Sequence, residues 1–91
     1  MPDRASTKVK IVNKLGLHAR PAMSLAETAS RFESNVALKR GDQAIDAKSV
    51  MEIMLLAATH GTEILIEAEG GDAHDCVEAL RMLVERGFDE E

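Results

Sequence analysis

Apolar residues in this chain switch repeatedly between two spacings, and the order of those spacings constrains the fold most. Alternate apolar residues are typical of a half-buried strand, whereas a helical repeat is typical of an amphipathic helix. Strand spacing predicts a first strand at about Thr7 to Asn13, a hairpin around Arg40-Gly41-Asp42, and a fourth strand with Ile64, Ile66 and Ala68 on one face. Helical spacing predicts helices at about Ala19 to Phe32, over residues 49 to 58, and from Ala73 to Gly87 with Asp72 as N-cap.

The predicted element order is therefore βαββαβα, an α+β chain. Strands that alternate polar and apolar residues bury one face, which favours a four-stranded antiparallel sheet covered on one face by three helices. Residues 1–6 are polar and include Pro2, so we expect a loose arm there and a single domain over residues 7–91.

Composition excludes several classes of function. A net charge of -5 and 2% aromatic residues argue against a nucleic-acid-binding platform. The sequence has no apolar run long enough for a membrane span or a signal peptide, so we expect a cytoplasmic protein without a membrane partner. Cys76 is the single cysteine and falls on the apolar stripe of the last helix, while His60 and His74 lack metal-ligand spacing. The sequence therefore predicts no metal and no cofactor.

The candidate site lies where the first strand ends and the first helix begins. His18 takes the N-cap position, where a short polar residue is usual, so capping does not explain its presence. A helix N-terminus has free N–H groups and a positive dipole that bind phosphate, and Arg20 adds a guanidinium beside it. Pro21 has no N–H to leave unsatisfied. This arrangement predicts a nucleophilic imidazole that carries a phosphoryl group above an anion-binding helix end.

The segment Gly16-Leu17-His18-Ala19-Arg20-Pro21-Ala22 resembles the active-site signature of the HPr family, histidine phosphocarriers of the bacterial phosphotransferase system. Lys48-Ser49-Val50-Met51 resembles the second signature of that family, and Gly61-Thr62-Glu63-Ile64 the start of its last strand. The resemblance implies an open-faced sandwich without enzymatic activity of its own. It also implies that His18 accepts a phosphoryl group on Nδ1 from enzyme I and passes it to a histidine of enzyme IIA. The amides of Ala19 and Arg20 and the Arg20 side chain would bind the phosphoryl oxygens.

The second predicted helix is apolar on two sides, although a helix covering a sheet buries only one. Val50, Ile53, Leu56 and Ala57 form the predicted core side, and Met51, Met54, Leu55 and Ala58 form the other. Packing under neighbouring loops is one explanation of the second side. The other is a docking surface, for which flexible methionines are well suited. With Met23, which the resemblance places beside it, the predicted partner surface comprises Met23, Val50, Met51, Met54 and Leu55.

Ser49 precedes that helix, and helix capping alone explains a serine there. The resemblance adds a second role, phosphorylation by HPr kinase/phosphorylase, although Glu52 stands where the regulated relatives commonly have glycine. The terminal Asp89-Glu90-Glu91 is expected to be solvated charge. We expect a monomer.

Two alternatives from other classes remain at this point. One is a regulatory binding module that transfers no phosphate, although such relatives lack the histidine. The other is a small enzyme of the acylphosphatase type, which has a similar size and architecture. Within the family, the segment from Asn13 to Met23 and the ending Gly87 to Glu91 resemble the nitrogen-related branch, whose carrier is called NPr. Lys48-Ser49-Val50-Met51 resembles the kinase-regulated group instead.

Overall fold

In the computed structural model, which describes residues 3–90, the chain forms four strands and three helices in the order βαββαβα. The strands are β1 (Arg4–Lys10), β2 (Asn35–Arg40), β3 (Gln43–Asp46) and β4 (Glu63–Glu69). The helices are α1 (Ala19–Ser30), α2 (Val50–Leu55) and α3 (Ala73–Glu85), and a 3₁₀ turn follows at Gly87–Asp89. The predicted element order is confirmed.

The strands form one antiparallel sheet in the order β1-β4-β2-β3. Ile66 of β4 lies between Thr7 of β1 and Leu38 of β2, which places β4 in the interior of the sheet. The buried strand residues alternate with exposed or half-buried ones: Val9, Val36, Leu38, Ile64, Ile66 and Ala68. Ion pairs such as Lys39 with Glu67, at 2.6 Å, lie among the alternate residues. This alternation confirms the open-faced α+β sandwich.

The helices bury the stripes that their spacing predicts. Ala22, Leu25, Ala26 and Ala29 of α1 are buried, but the helix ends at Ser30, so Phe32 packs against the core from beyond it. The buried residues of α3 are Ala73, Cys76, Val77, Leu80, Leu83 and Val84. Burial raises the pKa of the Cys76 thiol to about 11, with the Asp72 charge adding to the effect. Cys76 is therefore a neutral packing residue, as predicted.

The loose arm predicted for residues 1–6 is wrong for residues 4–6, which belong to β1. Arg4 pairs with Glu69 and Ser6 with Glu67, so backbone pairing with β4 extends the strand through a polar segment. Residues 1 and 2 lie outside the described part of the chain. The strand also ends earlier than the predicted Asn13, because β1 stops at Lys10.

The helix predicted over residues 49 to 58 is shorter, since α2 covers only Val50–Leu55. Arg40 Nη1 donates to the carbonyls of Leu56, at 2.6 Å, and Ala57, at 3.1 Å, and Ala57 has a positive φ of 51°. The chain thus turns out of the helix at Ala57. This turn exposes Ala57 and buries Ala58, the reverse of the assignment that a continuous helix predicts.

The turn before α3 is fixed by Asp72, the predicted N-cap. Its carboxylate accepts hydrogen bonds from the amides of Glu33, at 2.9 Å, and Ser34, at 3.0 Å, and from the Ser34 hydroxyl. The Ser34 hydroxyl is the main reason that the pKa of Asp72 lies below its ordinary value, and the Glu33 amide adds to it. Asp72 therefore ties the start of β2 to the start of α3.

Gly70 and Gly71 provide a matched test of this turn. Gly70 has a φ of +151°, and a Cβ there would lie 2.6 Å from Ser34 Oγ and 2.8 Å from Ser34 Cα, whereas a Cβ on Gly71 would meet nothing within 4 Å. Gly70→Ala should lower the free energy of unfolding by about 2 kcal/mol through overlap and backbone strain. Gly71→Ala should change it by less than about 1 kcal/mol. Denaturant unfolding of the two variants checks this, and equal stabilities would contradict the tight contact.

Candidate functional site

His18 lies at the N-terminus of α1, at the end of the loop that follows β1. Its backbone is extended, with φ −77° and ψ −173°, and its carbonyl accepts the hydrogen bond of Ala22 N at 3.0 Å. The predicted N-cap position is confirmed, and the imidazole makes no capping hydrogen bond within the described chain. The side chain is 37% exposed. An imidazole in this position is accessible to a partner protein.

The loop that carries His18 is held by the segment between α2 and β4. Leu17 N donates to Ala58 O at 2.9 Å, and Ile11 exchanges backbone hydrogen bonds with Gly61 and Thr62. Gly16 has a φ of +68°, and a Cβ there would lie 2.4 Å from Ala58 O. A side chain at Gly16 would push the loop away from this support. The backbone under His18 is therefore tightly constrained.

The first turn of α1 has free hydrogen-bond donors beside His18. The amides of Ala19 and Arg20 precede the first intrahelical hydrogen bond, that of Ala22 N, and Pro21 has no N–H. The first turn contains no acidic residue, so no side chain of this turn offsets the positive end of the dipole. Arg20 is exposed. These features suit the binding of an anion next to the imidazole.

Glu90 contacts the His18 imidazole, and the sequence did not predict this contact. Both of its carboxylate oxygens lie 3.0 Å from His18 Nε2. The hydrogen bond with His18 is the main reason that the pKa of Glu90 lies below its ordinary value, and Asn13 and the charge of Arg20 contribute. The prediction of solvated charge is thus wrong for Glu90, whose side chain is only 14% exposed. Glu91 lies outside the described residues.

The buried side chain of Asn13 holds the Glu90 carboxylate. Asn13 Nδ2 donates to Glu90 Oε1 at 3.0 Å and to Gly16 O at 2.8 Å, and the residue is only 2% exposed. In the sequence, Asn13 alternates with Ile11 on the inward face of the predicted first strand, but neither asparagine nor glutamate forms a local motif with His18. Because His18 and Glu90 are 72 positions apart in the chain, only the tertiary structure reveals the pair.

Ser49 occupies the N-cap of α2, as predicted. Its hydroxyl accepts the amide hydrogen of Glu52 at 3.2 Å. Glu52 Oε1 in turn accepts from Asp46 N at 3.1 Å. The capping role explains Ser49 structurally, and Glu52 has a structural role where the regulated relatives commonly have glycine.

The predicted partner surface is largely exposed. The exposed fractions are 80% for Met51, 70% for Leu55, 51% for Met23 and 45% for Met54. Val50 is half-buried, packs against the core, and lines a shallow groove with Met23 where α1 faces α2. We call Met23, Val50, Met51, Met54 and Leu55 the methionine patch. Packing under loops, the alternative explanation for its α2 residues, does not fit these exposures.

Within residues 3–90, no three histidine, cysteine or acidic side chains cluster in a way that could bind a metal ion. The helices of the same range are too short or too polar to cross a bilayer.

Comparisons with known proteins agree with the geometry. The sequence model of the family described as "PTS HPr component phosphorylation site" matches residues 5–86. The phosphocarrier protein HPr of Xylella fastidiosa is 43% identical over 84 residues, covering 92% of this chain and 94% of its own. The phosphocarrier protein HPr of Pseudomonas putida is 41% identical over 91 residues, covering 99% of this chain and 98% of its own. The crystal structure of HPr-C-His from Thermoanaerobacter tengcongensis superposes with a TM-score of 0.92 at 39% identity, covering 96% of this chain and 98% of that chain.

An open-faced sandwich that presents an accessible histidine at a helix N-terminus matches the class of small histidine phosphocarriers that these comparisons indicate. The chain belongs to the HPr family, the phosphocarriers of the phosphotransferase system. Membership rules out the acylphosphatase-type enzyme as its main activity.

Proposed function

We propose that His18 is the residue that carries the phosphoryl group, between enzyme I as donor and enzyme IIA as acceptor. A lone pair of the neutral imidazole attacks the phosphorus of the phosphohistidine on enzyme I. The new N–P bond forms as the N–P bond to the donor breaks, and the donor imidazole leaves with that electron pair. In the second transfer, the acceptor histidine attacks the same phosphorus and the His18 imidazole is the leaving group.

One observation carries this proposal: an accessible imidazole next to a helix N-terminus that has no acidic residue in its first turn. The amides of Ala19 and Arg20 are placed to donate to phosphoryl oxygens, and charge-assisted hydrogen bonds of this kind are strong. Partial exposure keeps this stabilisation moderate. A carrier needs a moderate value because tighter binding would slow the second transfer.

Arg20 should accelerate the transfer without being essential for it. Arg20→Ala removes the guanidinium but leaves the backbone amides, so we expect single-turnover phosphorylation to slow about tenfold, the effect of one charge-assisted hydrogen bond. Arg4, an exposed arginine at the start of β1 and outside the methionine patch, provides the control. Rapid-quench kinetics should show wild-type rates for Arg4→Ala. Equal rates for both variants would remove Arg20 from the site.

The methionine patch is the proposed docking surface for both partners. It is apolar and largely exposed, and it includes Met23 on α1, the helix that begins directly after His18. Thioether side chains repack easily, which suits a surface that binds two different proteins in turn. We propose that the chain from β1 onward acts as one monomeric domain in the cytoplasm, with enzyme I and enzyme IIA as transient partners.

Ser49 is a proposed second phosphorylation site for an HPr kinase/phosphorylase. Its hydroxyl caps α2, and a phosphate there would place negative charge beside Val50 and Met51. The proposal fails if a purified kinase that phosphorylates a regulated HPr leaves this protein unlabelled.

Incubation with enzyme I and phosphoenolpyruvate labelled in its phosphate tests the carrier proposal. Acid-labile label that accumulates on the protein supports it. An absence of label, with enzyme I active on a control HPr, would favour the non-transferring regulator. Release of free phosphate without labelled protein would contradict the carrier proposal.

The branch of the phosphotransferase system is a separate proposal. The resemblance of residues 13–23 and 87–91 to the nitrogen-related branch favours a carrier that serves that branch or both branches. Competition between the two purified forms of enzyme I for this protein decides the matter. A clear kinetic preference for the sugar-type donor would overturn the assignment without affecting the carrier role.

A further inference from the structure

The C-terminal turn brings a carboxylate to one nitrogen of the His18 ring. Gly87, Phe88 and Asp89 have positive φ values of 66°, 56° and 61°, a left-handed path that is unfavourable for Phe88 and Asp89. Phe88 is only 6% exposed and anchors the turn in the core, and Glu90 N donates to Gly87 O at 2.9 Å. Strained backbone persists where surrounding contacts enforce it. Here the strained residues directly precede Glu90 and turn the chain towards His18.

The Asn13 amide fixes the position of the carboxylate. Both of the groups that Asn13 Nδ2 contacts, Gly16 O and Glu90 Oε1, are acceptors, so the amide must present its nitrogen to them. Asn13 Oδ1 is buried and has no hydrogen-bond partner among the described residues. The Asn13 amide is held by the Gly16 carbonyl on one side, and its second hydrogen bond keeps Glu90 Oε1 in place.

The contact with the carboxylate determines where the proton of a neutral His18 lies. An ionised carboxylate only accepts hydrogen bonds, so Nε2, 3.0 Å from both oxygens, must be the protonated nitrogen. The lone pair is then on Nδ1, which has no hydrogen-bond partner among residues 3–90. We propose that Glu90 is a positioning residue that holds His18 in the Nε2–H tautomer and orients Nδ1 for attack on phosphorus. This inference rests on the proposed role of His18 as the phosphoryl carrier.

Glu90 would also act during the transfer itself. As Nδ1 forms its bond to phosphorus, the ring gains positive charge while Nε2 keeps its proton. The Glu90 carboxylate stabilises that charge through the hydrogen bond it already makes, as a carboxylate does for the histidine of a catalytic triad. When the phosphoryl group leaves, the N–P electron pair returns to Nδ1 and the starting tautomer is restored. The carboxylate accepts no proton at any step.

The first test requires no phosphoryl transfer. NMR of protein labelled with ¹⁵N in its histidines reports which ring nitrogen of neutral His18 is protonated. The proposal predicts the Nε2–H form alone in the wild-type protein, and a larger share of the Nδ1–H form in Glu90→Ala. A Nδ1–H form in the wild type, or an unchanged tautomer in Glu90→Ala, would overturn the proposal whether or not His18 carries phosphate.

The second test measures phosphorylation by enzyme I in single turnovers. Glu90→Ala should slow the maximal rate about 10- to 100-fold, the range expected for one charge-assisted hydrogen bond, with little change in the concentration of enzyme I needed for half-maximal rate. Glu90→Gln keeps an oxygen that accepts from Nε2–H and should recover part of the rate and the tautomer. Asp89→Asn is the control: it removes the same charge from an exposed neighbour, and asparagine tolerates positive φ.

The outcomes separate this proposal from the carrier proposal. Glu90 would be rejected as a positioning residue if Glu90→Ala had wild-type or faster rates, or if Asp89→Asn lost as much rate as Glu90→Ala. Either result would leave His18 as the carrier. Wild-type protein that accepts no phosphoryl group would reject the carrier proposal, and the tautomer measurement would still test the contact with Glu90.

Discussion

His18→Ala should abolish phosphoryl acceptance from enzyme I. The substitution removes the nucleophile and leaves nothing in its place that could form an N–P bond, so label on the protein should fall to background. The fold should persist, because the imidazole is partly exposed and caps no amide of α1. Thermal unfolding and circular dichroism close to those of the wild type would show that the loss is chemical.

His60 and His74 provide matched controls for this prediction. Both are exposed: His74 lies in the first turn of α3, and His60 lies in the segment between α2 and β4. His60→Ala and His74→Ala should accept label as the wild type does. Label that persists in His18→Ala, or disappears in either control variant, would contradict the assignment of His18.

Met51→Glu together with Met54→Glu should produce the second large effect, a loss of affinity for phosphorylated enzyme I. Each change places a charge in an apolar contact, and truncation of a central interface residue costs about 2 kcal/mol or more, so the double variant should bind at least about 100-fold more weakly. Because both side chains are exposed in the free protein, the melting temperature should hardly change. Titration with phosphorylated enzyme I measures the affinity.

Met82 makes this docking test specific. It is 51% exposed on α3, outside the methionine patch. Met82→Glu adds the same charge in a similar setting and should leave affinity for enzyme I unchanged. A comparable loss of affinity in Met82→Glu would show a general charge effect, and a large fall in the melting temperature of the double variant would place Met51 and Met54 in the core.

The spacing of apolar residues within one segment predicts the helices and strands whose packing depends on that segment alone. The stripes of α1 and α3 and the alternation in β4 each lie in one segment, so the order of elements and most core residues could be predicted. Residues 4–6 could not, because their strand conformation depends on pairing with β4, some 60 residues away. The end of α2 depends likewise on Arg40, whose guanidinium binds carbonyls of Leu56 and Ala57.

The residues of the candidate site also differ in whether one local segment predicts them. His18 and Arg20 are adjacent to a predicted helix start, so the anion-binding helix end could be recognised from one short segment. Glu90 could not be recognised, because its approach to His18 requires positive φ at Phe88 and Asp89, a conformation that these residue types do not predict. Its support by Asn13 could not be predicted either, because the strand alternation places Asn13 on the inward face but does not show which group its amide contacts.

The proposed carrier role requires that the phosphoryl group on His18 pass on to a second protein. Protein that has been phosphorylated with labelled phosphoenolpyruvate and purified away from enzyme I can be mixed with enzyme IIA in a single turnover. We predict that the label leaves the peptide containing His18 and appears on a histidine of enzyme IIA in equal amount. Label that stays on this protein, maps to another residue, or is released as inorganic phosphate without reaching enzyme IIA would contradict the account.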